Sequence, residues 1–168
     1  MKRVLRNLRK RWLYFLINKV YVGTKHFKIK LKLVRKLGFE IGDNTKIVGP
    51  FNCYAKSLKI GSNCWIGRNF FVDGNGEVVI GDNCDFGPEI LFLTGGHNIG
   101  DSNRRAGVGK SFTIKVESGC WVCARTVITN NVLIRSSSVI AATSFVNKNI
   151  DDNCLAGGVP CRKIKDLE

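Results

Sequence analysis

Aliphatic and aromatic residues recur at every sixth position along most of this chain. Ile60, Ile66 and Val72 form one run, Ile80 and Phe86 a second, and Val122, Ile128, Ile134, Ile140 and Val146 a third. A period of six matches neither an amphipathic helix, with about 3.6 residues per turn, nor the alternation of a hairpin strand. It matches a solenoid of short strands joined by tight turns, in which every sixth residue points into a shared core. The tetrad Ile-Gly-Asp/Ser-Asn, in IGDNT from Ile41, IGSNC from Ile60 and IGDNC from Ile80, supplies the Gly, Asn and Asp that such turns need. Four positions after each leading Ile stands a small residue, Thr45, Cys64 or Cys84, and the same step leads from Ile150 to Cys154. A repeated position that takes a small buried side chain accounts for these cysteines by packing alone.

The rhythm breaks twice. From Leu93 to Thr113 it is replaced by glycines, polar residues and cations, including TGGHNIGDSNRR from Thr94 to Arg105. A solenoid excludes such material from its stack, so the segment of about 93–113 is predicted to project as a loop, and long excursions of this kind tend to be functional. Before residue 38, Val4, Leu5, Leu8, Trp12, Phe15 and Leu16 recur at helical spacing, with Arg3, Arg6, Arg9, Lys10 and Arg11 around the other side. The stretch from Lys25 to Gly38 alternates and then becomes helix-like, with His26 read as a solvated residue. The organisation is thus an N-terminal basic, helical extension over 1–37 and an all-β repeat domain over 38–168.

Charge sharpens that division. The first 39 residues hold 13 Lys and Arg and no Asp or Glu, whereas the remainder is close to neutral, for a net charge of +14 over 168 residues. A cationic amphipathic helix suits an anionic membrane surface, and it equally suits docking on the repeat domain or on a second copy. The longest apolar run, WLYFLI from Trp12, is too short for a membrane span or a signal-peptide core and has no cleavage site behind it, so a cytoplasmic protein is expected. Seven cysteines, an odd count at scattered spacing, indicate reduced thiols. The pair in CWVC, Cys120 and Cys123, lacks the second pair of a zinc site and the βαβ setting of a redox motif, so no metal is expected. GVGKS from Gly107 has Arg104 where a phosphate-binding loop requires its first glycine.

The repeat, the tetrads and the closing segment VIAATSFVNKNIDDNCLAGGVPCRKIKDL from Val139 closely resemble the hexapeptide-repeat acyltransferases, and in particular sugar, galactoside and maltose O-acetyltransferases, over roughly residues 38 to 166. The resemblance implies a left-handed parallel β-helix with three hexads per coil, a homotrimer with sites between subunits, and acetyl-CoA as co-substrate. It implies further that His97, at the start of the excursion, is the catalytic base, which suits imidazole, the side chain that exchanges protons near neutral pH. Asp73 matches a position that holds the acceptor hydroxyl, although a turn-forming Asp would read the same way. Asp85 or Glu89 would orient His97 or lie on the surface, and Trp121 would line the site or pack in the core. For acetyl-CoA the matched positions are Cys123, Ala124, Ala142, Asn147, Lys148, Arg162 and Lys165. Cys123, Thr129, Arg135 and Ala141 depart from the family by replacing glycine, and a side chain at Cys123 or Ala141 would narrow the cofactor groove.

The expected activity is O-acetylation of a sugar or glycan acceptor, in polysaccharide or glycolipid biosynthesis, by direct attack. An amino-sugar N-acetyltransferase and a catalytically inactive scaffold are the alternatives. A γ-type carbonic anhydrase on the same fold would need three histidines at its metal, and this chain has two in all. Nucleic-acid binding through the basic arm would leave His97 and the closing segment unexplained.

Overall fold

The computed structural model describes residues 2–168, with side chains from residue 4 onward. Short parallel strands stack into three faces of a prism. The first face holds Glu40–Ile41, Ser57–Ile60, Glu77–Ile80, Thr113–Val116 and Leu133–Ile134. The second holds Lys46–Ile47, Trp65–Ile66, Asp85–Phe86, Trp121–Val122, Val139–Ile140 and Cys154–Gly157, and is closed by the antiparallel strand Arg162–Asp166. The third holds Phe51–Cys53, Phe70–Asp73, Leu91–Leu93, Val127–Thr129 and Phe145–Val146.

The six-residue period becomes three columns of partners in register. Ile41, Ile60, Ile80, Val116 and Ile134 stack on the first face. Ile47, Ile66, Phe86, Val122, Ile140 and Ala156 stack on the second. Cys53, Val72, Phe92, Ile128 and Val146 stack on the third. All are buried in one core, and each large aliphatic or aromatic member contributes about 1.5–3 kcal/mol by leaving water.

The tetrad asparagines do what the turns require. Asn44, Asn63, Asn83 and Asn153 have φ of 60°, 58°, 56° and 47°, the left-handed region that Asn tolerates better than most residues. Their amides also ladder between coils, Asn44 to Asn63 and Asn63 to Asn83, each at 3.3 Å. The small residues that follow are buried and bond across coils. Thr45 Oγ1 donates to the Gly61 carbonyl at 2.7 Å, and the thiols of Cys64 and Cys84 donate to Gly81 and Glu117 carbonyls at 3.2 Å. Cys120 and Ser138 occupy the same ladder, donating to the carbonyls of Arg135 and Asp151. The packing explanation for the cysteines therefore extends to Cys120, half of CWVC.

The N-terminal extension closes the open end of the first coil. Helix α1 (Lys2–Phe15) continues into a π-helical turn, Leu16–Val20, and helix α2 (Phe27–Lys36) follows. Leu13 and Ile17, with Leu33, Val34 and Leu37, are buried in the same core as Ile41 and Ile47. Of the stripe picked out by helical spacing, Leu16 packs against that core, whereas Val4, Leu5, Leu8, Trp12 and Phe15 are exposed. Lys30 is unexpectedly buried, its amine donating to the carbonyls of Gly23 and Val48 and lying 4.8 Å from the centre of the Phe27 ring. Burial pushes its pKa down to about 8, because the charged amine has lost water.

The excursion between Leu93 and Thr113 is more regular than the loop expected from its composition. Gly95–Ile99 and Ala106–Ser111 pair antiparallel into a two-stranded ribbon. Asp101 shapes its tip by accepting the amides of Asn103 and Arg104 at 2.9 and 3.1 Å. Its glycines let the strands close, since a Cβ on Gly100 would lie 2.3 Å from the Arg104 carbonyl oxygen. The pattern hides this ribbon because nearly all its side chains are in water, so no apolar alternation marks either face. Among the described residues no helix is long and apolar enough to cross a membrane.

Candidate active site

The ribbon leaves the prism where the third face turns towards the first, and its base forms one wall of a cleft of about 480 Å³. Asp73, Gly74, Asn75 and Leu93 line the prism side, and His97, Lys110 and Ser111 the ribbon side. His97 pairs in register with Gly109, and its Nδ1 lies 2.8 Å from the carbonyl oxygen of Gly107. A carbonyl only accepts, so Nδ1 carries the proton of that bond and Nε2 of the neutral ring holds the free lone pair. This is the tautomer a general base needs, with the ring held in place by the opposite strand.

Asp73 sits at the end of its strand, where its carbonyl accepts both the amide and the hydroxyl of Thr94 at 2.8 Å. Those bonds hold the backbone at the point where the ribbon departs, and the Asp73 carboxylate has no ion-pair partner among the described residues. Asn75 and Ser111 bond to each other across the cleft at 2.8 Å. Asn75, Lys110 and Ser111 were not singled out from the sequence as site residues. Lys110 and Ser111 belong to GVGKS, which is the return strand of the ribbon, and only the pairing of two distant glycine-rich segments brings them to His97.

The other predicted residues lie elsewhere on the chain. Asp85 and Trp121 are register partners on the exposed side of the second face, beyond the cleft that holds His97. Trp121 is exposed, so it is not a core residue. Glu89 accepts from Arg125 Nε at 2.8 Å in an exposed pair, and does not line the cleft.

Cys123, Ala124 and Ala142 gather at the corner between the second and third faces. The Thr143 amide donates to the Ala124 carbonyl there, tying successive turns together. One position after the buried column of the second face stand Gly67, Gly87, Cys123, Ala141 and Gly157. Two of the four departures from glycine, Cys123 and Ala141, therefore fall in a single column, and the Ala141 methyl is accommodated because Gly157 has none: a Cβ at 157 would come within 2.8 Å of it. Cys123 is partly exposed, and burial raises its thiol pKa. Arg162 pairs in register with Gly157, and Lys165 with Leu155, so both cations stand on the last strand beside this corner. Lys163 is taken up by an ion pair with Asp166.

Asn147 and Lys148 follow the last strand of the third face, on the same edge of the prism as the His97 cleft. Asn130 Nδ2 donates to the Asn147 carbonyl at 3.4 Å. The Asn147 Oδ1 atom is buried and has no hydrogen-bond partner among the described residues. Arg162, Lys165 and Lys148 likewise have no carboxylate partner among the described residues. Lys148 shares the edge of Asn147, whereas Arg162 and Lys165 stand on the last strand of the second face, and unpaired cations of this kind suit a ligand that carries phosphates. No cluster of three His, Cys, Asp or Glu side chains suited to a metal occurs among the described residues.

Comparison with known proteins identifies relatives of the chain as a whole. No model of a protein family matches the chain. It is 33% identical over 141 residues to the galactoside O-acetyltransferase of Escherichia coli, covering 80% of this chain and 67% of that one. It is 31% identical over 144 residues to the galactoside O-acetyltransferase of Lactococcus lactis, covering 83% and 70%. Among solved structures, a hexapeptide-repeat acetyltransferase of Vibrio cholerae in complex with acetyl-CoA superposes with a TM-score of 0.84 at 27% identity, covering 100% of this chain and 90% of that chain. The coil is accordingly the left-handed β-helix that the family resemblance implies.

Proposed function

This chain belongs to the hexapeptide-repeat family of acetyl-CoA-dependent acetyltransferases, and on that premise we propose that it acetylates a hydroxyl of a sugar or glycan, with His97 as the general base. The observation that carries the reading is the bond from His97 Nδ1 to the Gly107 carbonyl, which leaves Nε2 unprotonated on a ring that lines the same cleft as Asp73.

The chemistry follows from those positions. Asp73 accepts a hydrogen bond from the acceptor sugar and orients it. As Nε2 takes the proton of the attacking hydroxyl, the oxygen forms a bond to the acetyl carbonyl, whose oxygen becomes an anion that backbone N–H groups stabilise. The tetrahedral species collapses by breaking the carbon–sulfur bond, and the imidazolium returns its proton to the coenzyme A thiolate. No covalent acetyl-enzyme is required.

A homotrimer completes the site. His97 and Asn147 lie along one edge of the prism, whereas Cys123, Ala124, Ala142 and Arg162 lie along another, so one chain by itself does not surround a ligand. Association of three prisms sets the second corner of one subunit against the ribbon of its neighbour, and would also bring Trp121 and Asp85 towards a neighbouring cleft. The extended co-substrate then runs between two subunits, its phosphates towards Arg162 and Lys165. The galactoside O-acetyltransferase relatives support a sugar acceptor, and a cytoplasmic role in polysaccharide or glycolipid assembly accords with it.

The test is thiol release from acetyl-CoA against a panel of hydroxyl and amino sugars. Release with hydroxyl acceptors supports the proposal. Release confined to amino sugars would make the enzyme an N-acetyltransferase, and failure to bind acetyl-CoA at all would leave an inactive scaffold whose groove Cys123 and Ala141 have closed.

A further inference from the structure

Helix α1 carries two apolar surfaces, and only one of them is used by the fold. Leu13, and Ile17 in the π-helical turn that continues the helix, are 6% and 0% exposed and anchor it to the first coil. On the far side Val4, Leu5, Leu8, Trp12 and Phe15 are 61%, 60%, 55%, 60% and 47% exposed, within about 100° of the helix circumference. Trp12 and Phe15 stack on each other at 5.4 Å, extending the apolar surface without covering the rest of it. An uncovered stripe of this kind on a soluble domain marks a contact surface.

What flanks the stripe selects the partner. Arg9 and Arg11 border it on either side, Arg6 and Lys10 lie further round, and all four are exposed. No Asp or Glu occurs in the first 39 residues to neutralise them. A protein partner would have to supply several buried-edge carboxylates around an apolar groove. The head-group region of a bilayer supplies anions beside hydrocarbon everywhere, at a depth that Trp and Phe occupy readily. Each cation near an anionic lipid surface adds a salt-dependent attraction to the apolar burial.

We propose that α1 lies flat in the surface of an anionic lipid membrane, with Val4, Leu5, Leu8, Trp12 and Phe15 among the acyl chains, and so tethers the catalytic domain there. The inference does not depend on which acceptor is acetylated. Because α1 is joined to the core by Leu13 and Ile17, the β-helix is held at a set orientation to the membrane instead of hanging from a flexible arm.

Co-sedimentation of the full chain with phosphatidylglycerol–phosphatidylcholine vesicles, and with phosphatidylcholine vesicles alone, tests it. Binding is expected to the anionic vesicles, to fall at least tenfold between low and high salt, and to be lost in Leu8→Glu/Trp12→Glu. Both substitutions fall on exposed positions, so thermal stability and the oligomeric state should be those of the parent. Equal binding of parent and variant, or no binding of the parent at low salt, would overturn the proposal. Dissociation of the oligomer in the variant would also overturn it, by showing that a second copy covers the stripe.

Discussion

His97 and Gly107 face each other across the ribbon, with the imidazole Nδ1 2.8 Å from the glycine carbonyl. That contact sets the tautomer and leaves the lone pair of the outer nitrogen free, as the proposed base requires. His97→Ala is expected to lower kcat by about 10²–10⁴-fold, the usual contribution of a positioned base, while acetyl-CoA affinity by calorimetry stays close to the parent's. Asp73→Ala should chiefly raise KM for the acceptor. A His97→Ala enzyme with near-normal turnover would remove the direct-attack mechanism.

The cysteines offer a test of where the co-substrate is proposed to bind. Six of the seven are buried and Cys123 alone is partly exposed. One thiol per chain is therefore expected to react with Ellman's reagent in the native protein, slowly, because burial raises its pKa. Cys123→Ala should abolish that reaction, and saturating coenzyme A should suppress it. Rapid labelling of several thiols, or no protection by coenzyme A, would contradict the placement of the groove.

Gly157 and Ala141 share one space on successive coils. Gly157→Ala would bring two methyl carbons to 2.8 Å, and is expected to cost about 1–3 kcal/mol by overpacking. The double variant Ala141→Gly/Gly157→Ala should recover much of the loss in chemical denaturation, because the methyl has only changed coils. Purely additive losses would show that the contact is not what excludes a side chain at 157.

The attachment of α1 predicts an alkaline limit to stability. Tyr14 donates from its hydroxyl to the Cys53 carbonyl at 2.6 Å, and burial, with the nearby Cys53 thiol, pushes its pKa up from 10.0 to about 12. Burial likewise pushes Cys53 from 9.0 to about 11. Both groups hold their protons longer folded than unfolded, so their contributions are complete below pH 9 and are lost as pH rises through 11 and 12. Lys30 acts in the opposite sense: its lowered pKa makes the fold more stable between about pH 8 and 10.5. The Tyr14 effect is therefore read above pH 10.5, where Tyr14→Phe should lose stability less steeply with pH than the parent in thermal melts. Parallel curves would mean that the phenol is no more buried than in the unfolded chain.

The repeat architecture was legible because it is local and redundant. Every sixth residue had to be apolar, and the turn asparagines and small ladder residues recur in step, so the sequence alone determined a solenoid of short strands and the role of Cys64, Cys84 and Cys154. His97 could be found as a lone histidine in a break of that rhythm. The ribbon that holds it, the Gly107 bond, and the presence of Asn75, Lys110 and Ser111 beside Asp73 came only from the tertiary structure. They depend on pairing between segments with both faces in water, which leaves no periodic trace. The same holds at the N-terminus: helical spacing located the apolar stripe of α1, but which side of the helix meets the core was decided by Leu13, Ile17 and the open end of the first coil. Burial depends on what stands opposite a residue, and one helix's own sequence does not contain that.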